Sequence, residues 1–290
     1  MRILVTGAGG QVGSEVVAEL ERRAAERRRS SPWRIVATTR AQLDVGSRDS
    51  VLAAVTTVEP QVIIHAAAWT AVDDSEGDPD RAFRVNALGT RHVAEAARLV
   101  GAHVCYLSTD YVFDGLSDRP YTEWDDPNPL SVYGRSKLAG ERELGAASTI
   151  VRTGWVCGRN GQNMAKTVLR LASLQAILSF VDDQHGSPTS ARDLAVKVVD
   201  LALWRRPGTF HVTNQGSTTW FGFAQEVLRL AGHDPERVVP IATADLDPPR
   251  PAPRPACSVL DNAALRLSGD ELLPAWEESL ARLVDDLLGE

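Results

Sequence analysis

The 290-residue chain is 43% hydrophobic and 24% charged, the balance of a globular protein with a sizeable core, and no apolar run approaches the ~18 residues of a membrane span. Its net charge of −7 argues against nucleic acid as a partner, because phosphate neutralisation calls for a basic face. Three widely spaced cysteines, Cys105, Cys157 and Cys257, lack metal-ligand spacing and suit a reducing compartment.

The first apolar run, "RILVT" at 2–6, reads as a strand that meets Gly7 directly. It lacks the long apolar region and cleavage site of a signal peptide, so a cytoplasmic chain is expected. Gly7, Gly10 and Gly13 follow as G-x-x-G-x-x-G, ahead of the helical pattern Val12, Val16, Val17 and Leu20. Strand, glycine turn and helix make a cradle in which a pyrophosphate sits at the positive end of a helix. Gly7, Gly10, Gln11 and Val12 are its candidate cofactor contacts. The run "ERRAAERRR" at 21–29, interleaved with Glu21 and Glu26, reads as the solvated end of that helix.

A second strand, "RIVATT" at 34–39, leads to Arg40, where an NAD site usually offers the ribose a carboxylate. An arginine there suits the 2′-phosphate of NADP, so NADPH is favoured, with NADH as the alternative. Asp44 either meets the adenine amino group or is a plain loop aspartate. A helix is predicted over 48–58 and a third strand, "QVIIHAAA", over 61–68. The small residues Ala66 and Ala67 at its end let a flat cofactor cross the sheet edge. A helix over 79–100, a strand over 103–109, a helix over 131–145 and a strand over 149–155 complete the rhythm.

Strands alternating with helices of this length predict an α/β fold, a doubly wound parallel sheet. Residues 1–155 read as a Rossmann-like NAD(P)-binding domain. Beyond 155, Gly186, Pro188, Pro207 and Gly208 interrupt the pattern. Residues 156–290 are therefore expected to form mainly a smaller substrate-binding lobe, with segments returning to the sheet. Asn163 and Lys166 open a helix whose start can hold phosphate. The tract "DLDPPRPAPRPACS" at 245–258 reads as an extended loop, and 274–288 as a docked terminal helix.

Thr109 ends the fourth strand in "LSTDYVFDG", and Tyr133 and Lys137 lie one turn apart on the helix over 131–145. A free phenol near pKa 10 is a poor proton donor at neutral pH, and an adjacent ammonium stabilises its phenolate. The same spacing also describes a surface tyrosine one turn before a lysine.

The segments "TGAGGQVG", "HAAAWTAVDDSE", "RVNALGT", "STDYVFDG", "VYGRSKLAGE", "RTGWVCG", "DDQHGSPT" and "RPACSVLD" occur in order along almost the whole chain. Together they resemble the dTDP-4-dehydrorhamnose reductase family, within the extended short-chain dehydrogenase/reductases. The glycine turn and YxxxK belong to the whole superfamily; "STDYVFDG", "DDQHGSPT" and the RPxxS tract are more specific. The resemblance implies reduction of the 4-keto group of dTDP-4-dehydro-L-rhamnose to dTDP-L-rhamnose by NADPH or NADH.

It further implies that Tyr133 is the general acid, Lys137 its pKa-lowering and ribose-holding partner, and Thr109 the hydroxyl that bonds the substrate carbonyl. Asn86 matches a residue that orders the local backbone, and Trp155 one that lines the sugar pocket. Asp110, Asn163 and Arg254 are further candidate substrate contacts, Arg254 for the diphosphate by bidentate bonding. His185 reads as a loop histidine at the lobe interface. Cys157 and Met164 replace a tyrosine and a phenylalanine of the family pattern.

Some members dimerise through a magnesium ion held by carboxylates. Glu15 matches one such position, but Arg192 stands where another carboxylate is expected, and a hard cation needs oxygen ligands. No metal site is assigned, and a monomer or weak homodimer is expected. Two alternatives remain. An epimerase or dehydratase uses the same Tyr and Lys, although Asp110 lacks the companion Glu of dehydratases. A non-catalytic NADP-binding regulator tends to lose part of the Thr, Tyr and Lys set, which this chain retains.

Overall fold

The structure, a computed structural model, describes residues 1–26 and 32–289. Its strands are β1 (Arg2–Thr6), β2 (Arg34–Thr38), β3 (Val62–His65), β4 (His103–Thr109), β5 (Thr149–Thr153), β6 (Val156–Cys157), β7 (Leu178–Val181), β8 (His185–Gly186), β9 (Thr189–Ser190), β10 (Gly208–His211), β11 (Thr218–Thr219) and β12 (Val238–Ile241). Its helices are α1 (Gln11–Glu26), α2 (Arg48–Val58), α3 (Val72–Gly77), α4 (Pro79–Phe83), α5 (Gly89–Val100), α6 (Val132–Arg142), α7 (Met164–Ala172), α8 (Ala191–Leu203), α9 (Trp220–Leu230), α10 (Ala263–Leu267) and α11 (Trp276–Leu288).

Six strands pair in parallel in the order β10-β5-β4-β3-β1-β2. The reason lies in their two-sided apolarity. Ile3, Val5, Val62 and Ile64 point into one core with Val16 and Leu20 of α1 and Leu194 and Val198 of α8. Their neighbours Leu4 and Ile63 point the other way, against Val51 and Val55 of α2 and Val93 and Ala97 of α5. Strands apolar on both faces must be covered by helices on both. The chain runs outward from β1 to β2 and then returns to place β3 on the other side of β1. That reversal opens a crevice at the carboxyl ends of β1 and β3, where such folds take ligands.

A second core joins α7, α9 and α11 to the β7 and β12 pair, through Val168, Phe180, Phe223, Val227, Trp276 and Leu280. Among the described residues no helix is long and apolar enough to cross a membrane. The first four predicted strands and the 48–58 helix lie where the pattern placed them, with ends shifted by up to three residues. The fifth strand stops at Thr153 rather than 155, because Trp155 turns with a left-handed φ of 49°. The sixth strand, β10, was not anticipated: "GTFH" is too short for its alternation to stand out after Pro207.

The predicted single helix over 79–100 is three pieces. Pro79 starts α4 behind the Asp78 cap, a π-helical turn spans Arg84–Leu88, and α5 continues to Val100. The basic run begins inside α1, where Arg23 pairs with Glu19 and with Asp200 of α8 and is only partly solvated. Its residues 27–29 lie outside the described residues. The proline tract has no strand or α-helix and is clipped to β8: the His185 N–H donates to Ala256 O at 2.8 Å, and the Ser258 N–H to His185 O at 2.8 Å. The His185 side chain is exposed.

Candidate active site

The glycine turn lies where β1 ends. Gly7 has a φ of 72°, and a Cβ there would stand 2.5 Å from Ala67 N, so only glycine lets the turn lie against the β3 end. A Cβ on Gly13 would meet Gly7 O at 2.1 Å, which seats α1 tight on the turn. The resulting groove, about 340 Å³, is lined by Gly7, Gly10, Arg40, Asp44, Ala66 and Ala67. These are six of the ten expected cofactor contacts, which include Tyr133 and Lys137, and they are gathered from three strand ends.

Gln11 and Val12 do not line that groove. Val12 packs against the sheet core, and Gln11 turns toward the far lobe, donating to Gln162 O at 3.1 Å and accepting from Asn163 at 3.2 Å. Their N–H groups belong to the first turn of α1, which has no intrahelical acceptors. Sequence reasoning passed over Trp69 and Arg81, which also line the groove. Trp69 was inside the quoted "HAAAWT", but a lone aromatic at a strand end carries no signature of its own. Asn86 fixes it: its side chain accepts from Trp69 N at 2.8 Å and donates to Trp69 O at 3.1 Å and to Ser136 at 2.9 Å. The π-helical turn aims Asn86 inward to make those bonds.

Thr109, Tyr133 and Lys137 are buried together where β4 ends. The α6 helix starts at the Ser131 cap, whose hydroxyl accepts from Gly134 N at 3.1 Å. A Cβ on Gly134 would stand 2.1 Å from Tyr111 O, so glycine lets α6 lie directly on the turn that carries Thr109 and Tyr111. Tyr111 packs edge-on to Tyr133, their centroids 6.0 Å apart.

The electrostatics differ from expectation. Burial pushes the Tyr133 phenol above its ordinary value, the Thr109 hydroxyl opposes that shift, and the Asp110 charge adds to it. Lys137 is not among the groups that move it. The Lys137 Nζ instead donates to Leu107 O at 2.6 Å and sits 4.1 Å from the centre of the Tyr106 ring. Burial lowers the ammonium to about 7, with Glu141 opposing. Both groups are driven toward neutrality, because desolvation at this depth outweighs their mutual influence.

Thr109 Oγ1 donates to Asp110 Oδ1 at 2.9 Å and accepts from Tyr111 N at 3.2 Å. With Asp110 ionised, the hydroxyl proton is therefore engaged, and a carbonyl must compete for it. Burial raises the Asp110 carboxyl to about 6, and its Oδ2 is buried without a hydrogen bond. Beneath Lys137, Glu141 receives both Arg152 Nε at 3.0 Å and Nη2 at 2.7 Å, and the Ser108 hydroxyl as well. This buried pair was missed, although Glu141 follows Lys137 by one turn.

His65, fully buried, links the groove to this cluster. Thr90 Oγ1 gives its proton to Asn86 O at 2.7 Å, so His65 Nε2 must donate to Thr90 (3.3 Å) and Nδ1 must accept from Thr6 (2.7 Å).

The remaining candidates are engaged with partners of their own. Trp155 stacks on Trp220 with centroids 3.4 Å apart and lies over Gly186. Arg254 is committed to Asp73, with Nη1 and Nη2 each 2.7 Å from its carboxylate, so the expected diphosphate ligand already holds an anion. Asn163 caps α7, accepting from Lys166 N at 3.1 Å, and donates to Gly158 O at 2.7 Å, which leaves it a helix cap rather than a free ligand. Glu15 and Arg192 line a second, polar cavity of about 570 Å³ with Arg282 and Asp286. Guanidinium groups there do not fit a hard cation. Among the described residues no group of three His, Cys, Asp or Glu is placed to hold a metal.

Comparison with known proteins places this geometry. The model of the RmlD substrate binding domain matches residues 1–288. A dTDP-4-dehydrorhamnose reductase of Streptomyces griseus is 42% identical over 297 residues, covering 99% of this chain and 94% of that one. The structure of a dTDP-4-dehydrorhamnose reductase from Clostridium acetobutylicum is similar with a TM-score of 0.92 at 40% identity, over 99% of this chain and 100% of that one. One from Bacillus anthracis, in complex with NADP, gives a TM-score of 0.89 at 38% identity, over 98% and 99% of the two chains.

Proposed function

The chain belongs to the dTDP-4-dehydrorhamnose reductase family, and from that premise we infer that it reduces the 4-keto group of dTDP-4-dehydro-L-rhamnose to dTDP-L-rhamnose. A nicotinamide cofactor, when bound in the groove, supplies the hydride. The observation that carries the reading is the burial of Tyr133, Thr109 and Lys137 together at the sheet edge that also forms the dinucleotide groove.

The residues of the chain hold and move the proton. Tyr133 stays a neutral phenol through neutral pH and donates to the oxygen of the ketone as negative charge develops there, a step worth ~10²–10⁴-fold. Thr109 lies beside it and shares that oxygen once its proton is released from Asp110. Lys137, with a value of about 7, replenishes the phenol from its protonated form and reaches the ribose of the cofactor. The cofactor of choice is NADPH, with Arg40 toward the 2′-phosphate and Asp44 toward the adenine; the NADP-bound relative supports this.

In the same reading, Trp155, Asp110 and Arg254 serve the sugar nucleotide, and residues 156–290 supply most of its site, with α8 and β10 returned to the sheet. The guanidinium of Arg192 near Glu15 supports a monomer or weak homodimer without a bridging metal. Three free cysteines accord with a cytoplasmic site of action. Purified protein mixed with NADPH and dTDP-4-dehydro-L-rhamnose should oxidise the cofactor stoichiometrically. No change in nicotinamide absorbance with either NADPH or NADH would overturn the assignment.

A further inference from the structure

The groove holds a second arginine that the reaction described above does not use. Arg81 sits in the first turns of α4, one helical turn before Val85, and both line the groove opposite Arg40. Its guanidinium lies 4.3 Å from the centre of the Trp69 ring. Among the described residues it makes no side-chain hydrogen bond and no ion pair. The other half-buried arginine near the site, Arg254, by contrast holds Asp73.

A half-buried guanidinium without an anion has lost part of its hydration and lacks the compensation a carboxylate would give. Trp69 supplies part of that compensation through its ring face, on a backbone that Asn86 holds through both its N–H and its C=O. Arg81 is thus a half-buried cation on the β3 wall, while Arg40 is an exposed one beyond β2. The carboxylate facing them in the groove is Asp44, whose Oδ1 accepts from Gly46 N at 3.0 Å. In a chain of net charge −7, two cations against one acid make this a locally positive trough.

We propose that Arg81 is a cofactor ligand that pairs with phosphate oxygens of the bound dinucleotide from the β3 wall, with Trp69 as its seat. This rests on the reading of the groove as a nicotinamide-dinucleotide site. The phosphate engaged is either the pyrophosphate, common to NADPH and NADH, or the 2′-phosphate, which only NADPH carries. Arg81 touches no reacting atom and acts on binding alone.

Isothermal titration of wild type, Arg81→Gln and Arg81→Lys with NADPH and with NADH decides the matter. Arg81→Gln should raise the Kd about tenfold, the loss expected for one charge-assisted bond, and Arg81→Lys should recover part of it. Weakening of both dinucleotides assigns the pyrophosphate, and weakening of NADPH alone assigns the 2′-phosphate. Wild-type affinity of Arg81→Gln for both overturns the proposal while leaving the function intact, whereas failure of the wild type to bind either one overturns the reading beneath it. Should the variants not fold, protection of Arg81 in the wild type supplies the test. NADPH should shield it from an arginine-directed dicarbonyl reagent, read by peptide mass, and equal modification with and without NADPH sinks the idea.

Discussion

At the scale of single residues, Tyr133 and Lys137 have been brought toward neutrality by depth. A donor to a developing alkoxide must begin protonated, and burial keeps Tyr133 so. Tyr133→Phe should lower kcat by ~10²–10⁴-fold while the Kd for NADPH, measured by titration, stays within twofold. Lys137 has the opposite signature. Its folded value is about 7 against an unfolded 10.5, so between those values the unfolded chain binds the extra proton and stability rises with pH. Lys137→Met should therefore be inactive yet melt higher than wild type at pH 7, with the gap shrinking toward pH 10. A gap independent of pH would contradict the buried-ammonium account. These residues were legible in the sequence because four-residue spacing and a strand end are local patterns. Asp73 and Arg254 were not seen as partners, because 181 positions separate them and neither run betrays the other.

At the scale of elements, α6 carries Tyr133 and Lys137, the residues of the proposed proton transfer, and is held at both ends. Its start rests on Ser131 and Gly134, and its last turn on the Glu141 pair with Arg152 of β5. Both side chains of that pair are about 95% buried, so removing one charge strands the other. Glu141→Gln should cost about 3–5 kcal/mol, read from the urea midpoint, and should misplace Lys137 enough to lower kcat. The sequence showed α6 itself, as the helical segment that sets Tyr133 and Lys137 one turn apart. It hid the break in the 79–100 helix. A π-helical turn adds one residue to a turn without disturbing composition, and the inward aim of Asn86 depends on a phase shift that periodicity does not register.

At the scale of the molecule, the parallel sheet was readable because strands such as β1 and β3 carry apolar residues on both faces and alternate with helices. The β10 edge was not, and it changes the accounting of where the sheet ends. Two histidines buried in this sheet couple the fold to acid. Burial lowers both His65 and His211 to about 3, aided by Lys137 and Arg152 respectively. The unfolded chain takes up protons below about 6.5 while the folded one does not until near 3, so stability falls as pH falls through that window. Each contributes up to about 1.4 kcal/mol per pH unit, and the urea midpoint should drop steadily from pH 6.5 to 4.5. Asp110, raised to about 6, works the other way in the same window, so the drop is the excess of two rings over one carboxyl, and a midpoint that rises toward pH 4.5 would contradict the account. The position of β10 also bears on how the chain is made. While the polypeptide leaves the ribosome, β5 presents an unpaired margin that cannot be closed until residue 211 has emerged, long after the reactive helix is complete. The interval between those two events is when the nascent enzyme is most open to mispairing with its neighbours.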